Sequence, residues 1–126
     1  MHKSRLGGFI IDCRTDDLKA AATFWSKALG MEMRGLAGEQ GQKYIRLMEP
    51  EDYYHLEVQT VDHDSRLHLD IEADDVEAEV KRLEALGAKR VAKVHSWIVM
   101  QAPTGQRFCV VRAQTGDFAR RANEWK

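Results

Sequence analysis

The sequence predicts an α+β fold composed of two βαβββ half-repeats. Each half contains a strand pattern, then an amphipathic helix pattern, then three further strand patterns. A glycine ends the predicted helix in both halves, at Gly30 and at Gly87. Three aspartates of the first half return at a constant spacing in the second half: Asp12, Asp16 and Asp17 correspond to Asp70, Asp74 and Asp75. An internal duplication accounts for all three observations.

The first half-repeat begins with a half-buried strand over residues 6–14, in which apolar and polar side chains alternate. Asp16 and Asp17 offer N-cap oxygens for a helix whose apolar residues recur at helical spacing up to Leu29. Three strands are predicted next, separated by turn-prone stretches at 38–41 and 49–52. These strands cover residues 31–37, 43–48 and 53–60.

The second half-repeat opens with a strand at 67–72, and Asp74 with Glu77 forms a capping box for the helix that follows. Val76, Val80 and Leu83 lie on the apolar face of that helix. Three strands are predicted at 88–94, 96–102 and 107–112. A short helix is predicted in the tail, residues 113–126, without a role for it.

Composition limits the classes of protein that this chain can represent. With 126 residues we expect one domain, 1–126, with half-repeats at about 6–60 and 67–112. The 19 basic and 20 acidic residues give a net charge of −1, so we expect neither a nucleic acid nor a membrane as partner. No apolar run approaches the roughly 20 residues of a membrane span, and a cytoplasmic location is expected. Cys13 and Cys109 form no CxxC pair, which argues against a disulfide scaffold.

Three stretches resemble a known family, and together with the strands between them they cover nearly all of residues 6–112. IDCRTDDLKAAATFWSKALGM, HLDIEADDVEAEVKRLEALGA and PTGQRFCVV are similar to modules of the vicinal oxygen chelate superfamily. This superfamily contains glyoxalases, bleomycin-resistance proteins and dioxygenases. The resemblance implies a glyoxalase-like domain in which each module forms a curved sheet or half-barrel, with its site on the concave face. It also implies a homodimer.

The alternation of side chains independently predicts a polar face. If Ile11, Leu56, Leu69 and Phe108 pack against the helices, a second set of side chains points the other way. That set is Asp12, His55, Glu57, His68, Asp70 and Cys109. Trp97 could line the same pocket beside a flat organic ligand, although plain packing explains it equally well.

The resemblance also implies four positions for the ligands of a divalent metal ion, at Ile10, Glu57, His68 and Cys109. Glu57 and His68 are of ligand type and are metal ligands only if a metal is bound, whereas Ile10 cannot coordinate an ion. Other residues nearby could compensate: Asp70 and His55 lie two positions from the retained ligands, and Cys109 could bind zinc as a thiolate. Alternatively, His68 forms an ordinary hydrogen-bonded pair with a neighbouring carboxylate. We expect no tightly bound metal with the full family geometry.

Two functions follow from these alternatives. The first is a protein of the bleomycin-resistance kind that binds a small organic molecule in a concave polar pocket without the full metal site. The second is a metal-dependent lyase, isomerase or dioxygenase in which Glu57 or His68 moves a proton. Whether the protein is an enzyme is left open, and a divalent metal is the one cofactor considered.

Overall fold

The computed structural model describes residues 1–126 and contains two helices and eight strands in the predicted order, so the α+β prediction is confirmed. The tail contains a short third helix, as predicted, and the structure adds a 3-10 helix and a ninth strand. The elements are β1 (His2–Arg14), α1 (Leu18–Leu29), β2 (Glu32–Gly35), the 3-10 helix (Gly38–Gln42), β3 (Tyr44–Met48), β4 (His55–Val61), β5 (Arg66–Ala73), α2 (Val76–Ala85), β6 (Lys89–Val94), β7 (Trp97–Gln101), β8 (Arg107–Arg112), α3 (Phe118–Arg121) and β9 (Asn123–Trp125).

The contacts divide the chain into two compact units. Residues 9–67 form the first unit, and residues 1–8 together with 68–126 form the second. Each unit contains the helix and the last three strands of one βαβββ repeat. The long strand β1 contributes its C-terminal part to the first unit and its N-terminal part to the second.

In the first unit the strand order is β2-β3-β4-β1, and β3 is antiparallel to both β2 and β4. The helix α1 begins where the Asp17 side chain accepts a hydrogen bond from the backbone N–H of Ala20, and it ends at Gly30 in the left-handed conformation. Its apolar face packs on the sheet. The core consists of Ile11, Ala22, Leu47 and Val58, with Trp25 packed against it.

In the second unit the strand order is β1-β5-β8-β7-β6. The strands β5 and β8 are parallel, whereas β8, β7 and β6 are antiparallel to one another. The core below α2 consists of Ala73, Val80, Leu83, Ile98, Met100 and Val110, with Phe108 packed against it. Leu69 differs from expectation, because 46% of it remains exposed near the beginning of β5, beyond the part of the strand that the core covers.

The start of α2 differs from the predicted capping box. Asp75 is the N-cap, and its side chain accepts a hydrogen bond from the N–H of Ala78. Asp74 is bound to β1 instead: its carboxylate accepts from the N–H of Lys3, and its own N–H donates to the Lys3 carbonyl. Because Asp74 is engaged by a strand that is distant in sequence, the next residue caps the helix.

The tail closes onto β1 through the short strand β9. His2 pairs with Trp125 and Ser4 pairs with Asn123 in an antiparallel register. The indole Nε1 of Trp125 donates to Ser4 Oγ at 2.8 Å, and its ring lies 3.8 Å from the Arg82 guanidinium carbon. The tail therefore anchors the N-terminal strand within the second unit.

Two fully buried carboxylates organise the second unit. Glu79 on α2 accepts hydrogen bonds from His2, from Ser4 and from Nε and Nη2 of Arg82. Glu72 on β5 accepts from the hydroxyl and N–H of Thr115, and the side chain of Glu72 lies directly over Gly7. Both are 0% exposed, and both are hydrogen-bonded as buried charges require.

None of the helices combines the length and the apolar character that spanning a membrane requires.

Candidate functional site

The polar faces arise from the period-2 alternation of the strands. In β4, Leu56 and Val58 belong to the core under α1, so His55 and Glu57 lie on the opposite face of the sheet. In β5 and β8, Ile71 and Val110 belong to the core under α2, so Asp70 and Cys109 lie on the opposite face. The predicted orientation of these side chains relative to the cores is therefore present in each unit.

In the first unit, His55 and Glu57 form a pair. The ring nitrogen Nε2 of His55 is hydrogen-bonded to Oε1 of Glu57. His55 is only 8% exposed, and its other ring nitrogen, Nδ1, is buried without a hydrogen-bond partner. A buried polar atom left without a partner costs about 1–3 kcal/mol. This nitrogen is therefore a group that a bound molecule could satisfy.

Asp12 is 2% exposed and occupies β1 next to the core residue Ile11. Its carboxylate oxygen Oδ2 lies 3.8 Å from Nε of Arg66. Arg66 was missing from the predicted site because a charged residue at the start of a strand carries no distinctive sequence signal. Arg46 is a second cation missed in this unit: it is paired in register with Glu57 and donates to Asp52 at 2.7 Å.

In the second unit, His68, Asp70 and Cys109 come together. One potential ligand atom from each lies within 4.8 Å of the other two. Asp70 and Cys109 are register partners on the parallel strands β5 and β8, and His68 is two residues from Asp70 on the same strand face. Nε2 of His68 lies 3.5 Å from Oδ1 of Asp70, and that oxygen is buried without a hydrogen-bond partner.

Trp97 begins β7 and is partly buried. It shares a strand face with Val99, the register partner of Cys109. Its ring lies 5.3 Å from the ring of His95, between centroids. This position is compatible with both roles predicted for Trp97, contact with a flat organic ligand and plain packing.

The thiols differ in environment. Cys109 is buried, whereas Cys13 is partly exposed and lies against the α1 core. Burial raises the pKa of the Cys13 thiol above its usual value. The negative charge of Asp12 raises this pKa further, whereas a hydrogen bond with Trp25 lowers it by less than burial raises it. Cys13 is therefore predominantly a neutral thiol near neutral pH.

The four metal-ligand positions that the resemblance implies do not fit an ion. Ile10 is 3% exposed and has a hydrocarbon side chain, so that position offers no donor atom. Within the first unit Glu57 is engaged by His55, and within the second unit His68 and Cys109 group with Asp70. The expectation that Glu57 and His68 face one pocket with Asp12 and Asp70 stays a prediction.

Solved structures with the same fold include a hypothetical protein from Bacillus halodurans, with a TM-score of 0.59 at 12% identity over 90% of this chain and 99% of the other. Methylmalonyl-CoA epimerase from Streptomyces coelicolor, in complex with 2-nitronate-propionyl-CoA, has a TM-score of 0.53 and 14% identity. The match covers 86% of this chain and 98% of the epimerase chain. A methylmalonyl-CoA epimerase in complex with methylmalonyl-CoA and an ammonium ion also has a TM-score of 0.53, with 12% identity. This match covers 90% of this chain and 98% of the epimerase chain. At these identities the likeness shows the fold alone. No curated protein has a sequence that matches this chain.

The paired βαβββ repeats and their polar sheet faces thus define a protein of the vicinal oxygen chelate class. The family described as "Glyoxalase-like domain" matches residues 8–111. The chain belongs to this glyoxalase-like domain family.

Proposed function

We propose that this protein binds a small organic molecule on the polar face of the first unit, with His55 as the residue that recognises it. The observation that carries the proposal is the buried Nδ1 of His55, which has no partner in the protein although its ring is held in place by Glu57. Family membership supports the same conclusion, because glyoxalase-like folds include proteins crystallised with small organic ligands.

Glu57 determines which atom of His55 is available. An ionised carboxylate only accepts hydrogen bonds, so the ring nitrogen facing it carries the hydrogen. In the neutral ring the other nitrogen, Nδ1, then has a lone pair. A ligand hydroxyl or other donor would satisfy it. Glu57 acts here as a positioning residue.

The alternative of a metal-dependent lyase, isomerase or dioxygenase shares part of this arrangement, since a histidine oriented by a carboxylate can accept a proton. The implied four-ligand metal set includes Ile10, whose hydrocarbon side chain cannot coordinate an ion, so that set does not fit a metal. Ligand binding is therefore the function that the geometry supports best.

The test is a ligand-dependent thermal shift. The probes are catechol and salicylate as aromatic hydroxy compounds, and methylmalonyl-CoA because a structure with the same fold contains it. A probe that binds only the folded protein raises Tm in a dose-dependent manner. For the active probe, His55→Asn should weaken binding by about 10-fold, or 1.4 kcal/mol.

His63→Asn is the matched control, because His63 lies in the loop before β5 and contacts Asp64 and Arg66. Its probe affinity should equal that of the unmodified protein. The proposal is wrong if none of the probes shifts Tm, or if His55→Asn leaves the affinity of an active probe unchanged.

A further inference from the structure

We infer that the organic molecule bound by the first unit is a carboxylic acid, and that Arg46 and Arg34 recognise its carboxylate group. The inference rests on the proposed function, because both arginines lie on the same polar face as His55. It adds the charge of the ligand and the residues that select this charge. Neither arginine occupies one of the four metal-ligand positions that the family resemblance implies.

The two arginines lie side by side on the polar face of the first unit. Met33 and Leu47 pack in the core under α1, so the adjacent residues Arg34 and Arg46 point to the opposite face of the sheet. Arg34 on β2 is the register partner of Arg46 on β3, and Arg46 is also the register partner of Glu57 on β4. A row of charged side chains therefore crosses three neighbouring strands.

The register of β2 and β3 places two positive charges directly opposite each other. Like charges in this arrangement destabilise a sheet. Arg34 is exposed and forms no ion pair with the protein. An anion between the two guanidinium groups relieves the repulsion, and the two oxygens of a carboxylate match the planar fork of an arginine.

Arg46 has a hydrogen-bond donor that the protein leaves unused. Its Nη2 donates to Oδ1 of Asp52 at 2.7 Å, but its Nε is buried without a hydrogen-bond partner. A buried donor that lacks a partner is costly. The side chain as a whole is 23% exposed, so a ligand can reach the guanidinium and satisfy Nε after a small rotation of the side chain.

The carboxylates nearest to the arginines are already engaged. Asp52 accepts the hydrogen bond from Nη2 of Arg46, and Glu57 is hydrogen-bonded to His55. The chain thus supplies no acceptor for Nε of Arg46 and no ion-pair partner for Arg34. A ligand carboxylate would provide both.

The positions of Arg46 and His55 set the separation between the two recognised groups of the ligand. His55 precedes Glu57 by two residues on β4, so it is the diagonal neighbour of Arg46 across the strand pair. Diagonal positions lie about 7–8 Å apart. A benzene ring with substituents at opposite ends spans a similar distance. The ligand class is therefore an aromatic acid with a hydrogen-bond donor, such as a hydroxyl group, opposite its carboxylate.

Calorimetric titration with two matched probes tests the inference. The probes are 4-hydroxybenzoate and 4-hydroxybenzamide, which has a neutral amide in place of the carboxylate. At neutral pH the carboxyl group of the acid is ionised and its hydroxyl group is protonated. The unmodified protein should bind the acid about 10–100-fold more tightly than the amide, because hydrogen bonds to charged groups contribute this much.

Substitution of the arginines should reduce this preference. Arg46→Gln should remove most of it, and Arg34→Gln should remove a smaller part, since Arg34 is exposed and screened by solvent. Lys27→Gln is the matched control: it removes one positive charge from α1, which packs on the other face of the sheet, and should leave the preference unchanged. His55→Asn should weaken the binding of both probes.

The preference of the unmodified protein does not depend on the folding of any variant. The inference is overturned if 4-hydroxybenzoate does not bind, if the two probes bind equally well, or if Arg46→Gln weakens both probes to the same extent. Catechol, which carries no carboxylate, separates this failure from failure of the proposed function. Catechol binding that depends on His55 would leave the proposed function standing with a neutral ligand.

Discussion

Gly7 lies where the backbone of β1 passes a buried carboxylate. A Cβ at this position would lie 2.7 Å from Cγ of Glu72 and 3.0 Å from its Cδ. Glu72 cannot move aside easily, because its oxygens accept hydrogen bonds from the N–H groups of Gln114 and Thr115. Gly7→Ala should therefore lower the free energy of unfolding by about 1–3 kcal/mol, measured by urea denaturation.

Gly35→Ala is the control for this prediction. Gly35 ends β2, and no atom lies within 4 Å of a Cβ built there. The substitution should be neutral or slightly stabilising, since alanine restricts the unfolded chain. Equal destabilisation by the two substitutions would refute the steric explanation for Gly7.

Glu79 should make stability depend on pH. Burial disfavours its ionised form, but hydrogen bonds from Arg82, His2 and Ser4 outweigh burial and hold the pKa of the carboxyl below its usual value. A lowered pKa in the folded state contributes stability above the unfolded-state pKa, and this contribution is lost as the pH falls through the folded-state pKa. Between about pH 5 and pH 3, the unfolding free energy should fall more steeply for the unmodified protein than for Glu79→Gln.

Glu77→Gln offers a comparison on the same helix. The hydrogen bond from Arg90 lowers the pKa of Glu77, but this pair is exposed and screened by solvent. The acid dependence of Glu77→Gln should resemble that of the unmodified protein. A Glu79→Gln profile parallel to the unmodified one would contradict the assignment.

At the residue scale, the alternation of apolar and polar residues predicts the face of the sheet on which a side chain lies, but not the residues that it contacts. The sequence was sufficient to place His55 and Glu57 opposite the core residue Leu56, because the period is local. It could not predict that Arg66 approaches Asp12 or that Thr115 binds Glu72, since these contacts depend on tertiary structure.

At the scale of elements, helix ends were predictable where their capping groups are local. Asp17 and Gly30 cap α1 as their residue types indicate. The predicted N-cap of α2 was wrong by one residue, because Asp74 accepts a hydrogen bond from Lys3 of β1 and Asp75 caps the helix instead. The strand β9 has only three residues and carries no periodic pattern, so it could not be predicted from the sequence.

Trp125 is expected to contribute most of the anchoring by β9. Its indole donates to Ser4 Oγ, and its ring stacks on Arg82. Trp125→Ala removes both contacts and should lower the unfolding free energy by about 1–3 kcal/mol. Trp125→Phe keeps an aromatic ring for Arg82 but loses the N–H donor, and should lower it by about half as much. Hydrogen exchange of the His2 and Ser4 amides should accelerate in the same order.

Phe118→Ala in α3 controls for a general effect of shortening an aromatic side chain in the tail. It should leave the exchange of the His2 and Ser4 amides unchanged. If Trp125→Ala also leaves it unchanged, β9 does not anchor β1.

At the scale of the whole molecule, the element order followed from the two repeated patterns, whereas strand pairing did not. The parallel pairing of β5 with β8 joins segments separated by α2, β6 and β7. Pairing across such separations depends on packing that no local pattern contains. The family resemblance implied a curved sheet for each module without specifying which strands pair, and the structure and the family match confirm the glyoxalase-like fold.

The homodimer implied by the resemblance remains to be measured. Sedimentation equilibrium at micromolar concentration should give twice the mass of one chain, because family members of this size commonly pair. A single-chain mass across the concentration range would contradict it. Repetition at low and high salt shows whether exposed charges contribute to the association.

The pairing of β9 with β1 brings the two ends of the chain together. His2 and Trp125 are register partners, and such partners have Cα atoms about 4.5–5.5 Å apart. A linker of a few glycines and serines should therefore join residue 126 to residue 1, and the chain could be reopened in the exposed turn at Thr104–Gly105. Such a circular permutant should fold with an unchanged far-ultraviolet circular dichroism spectrum, so synthesis of β8 and the tail after the rest of the chain would not be essential to the structure.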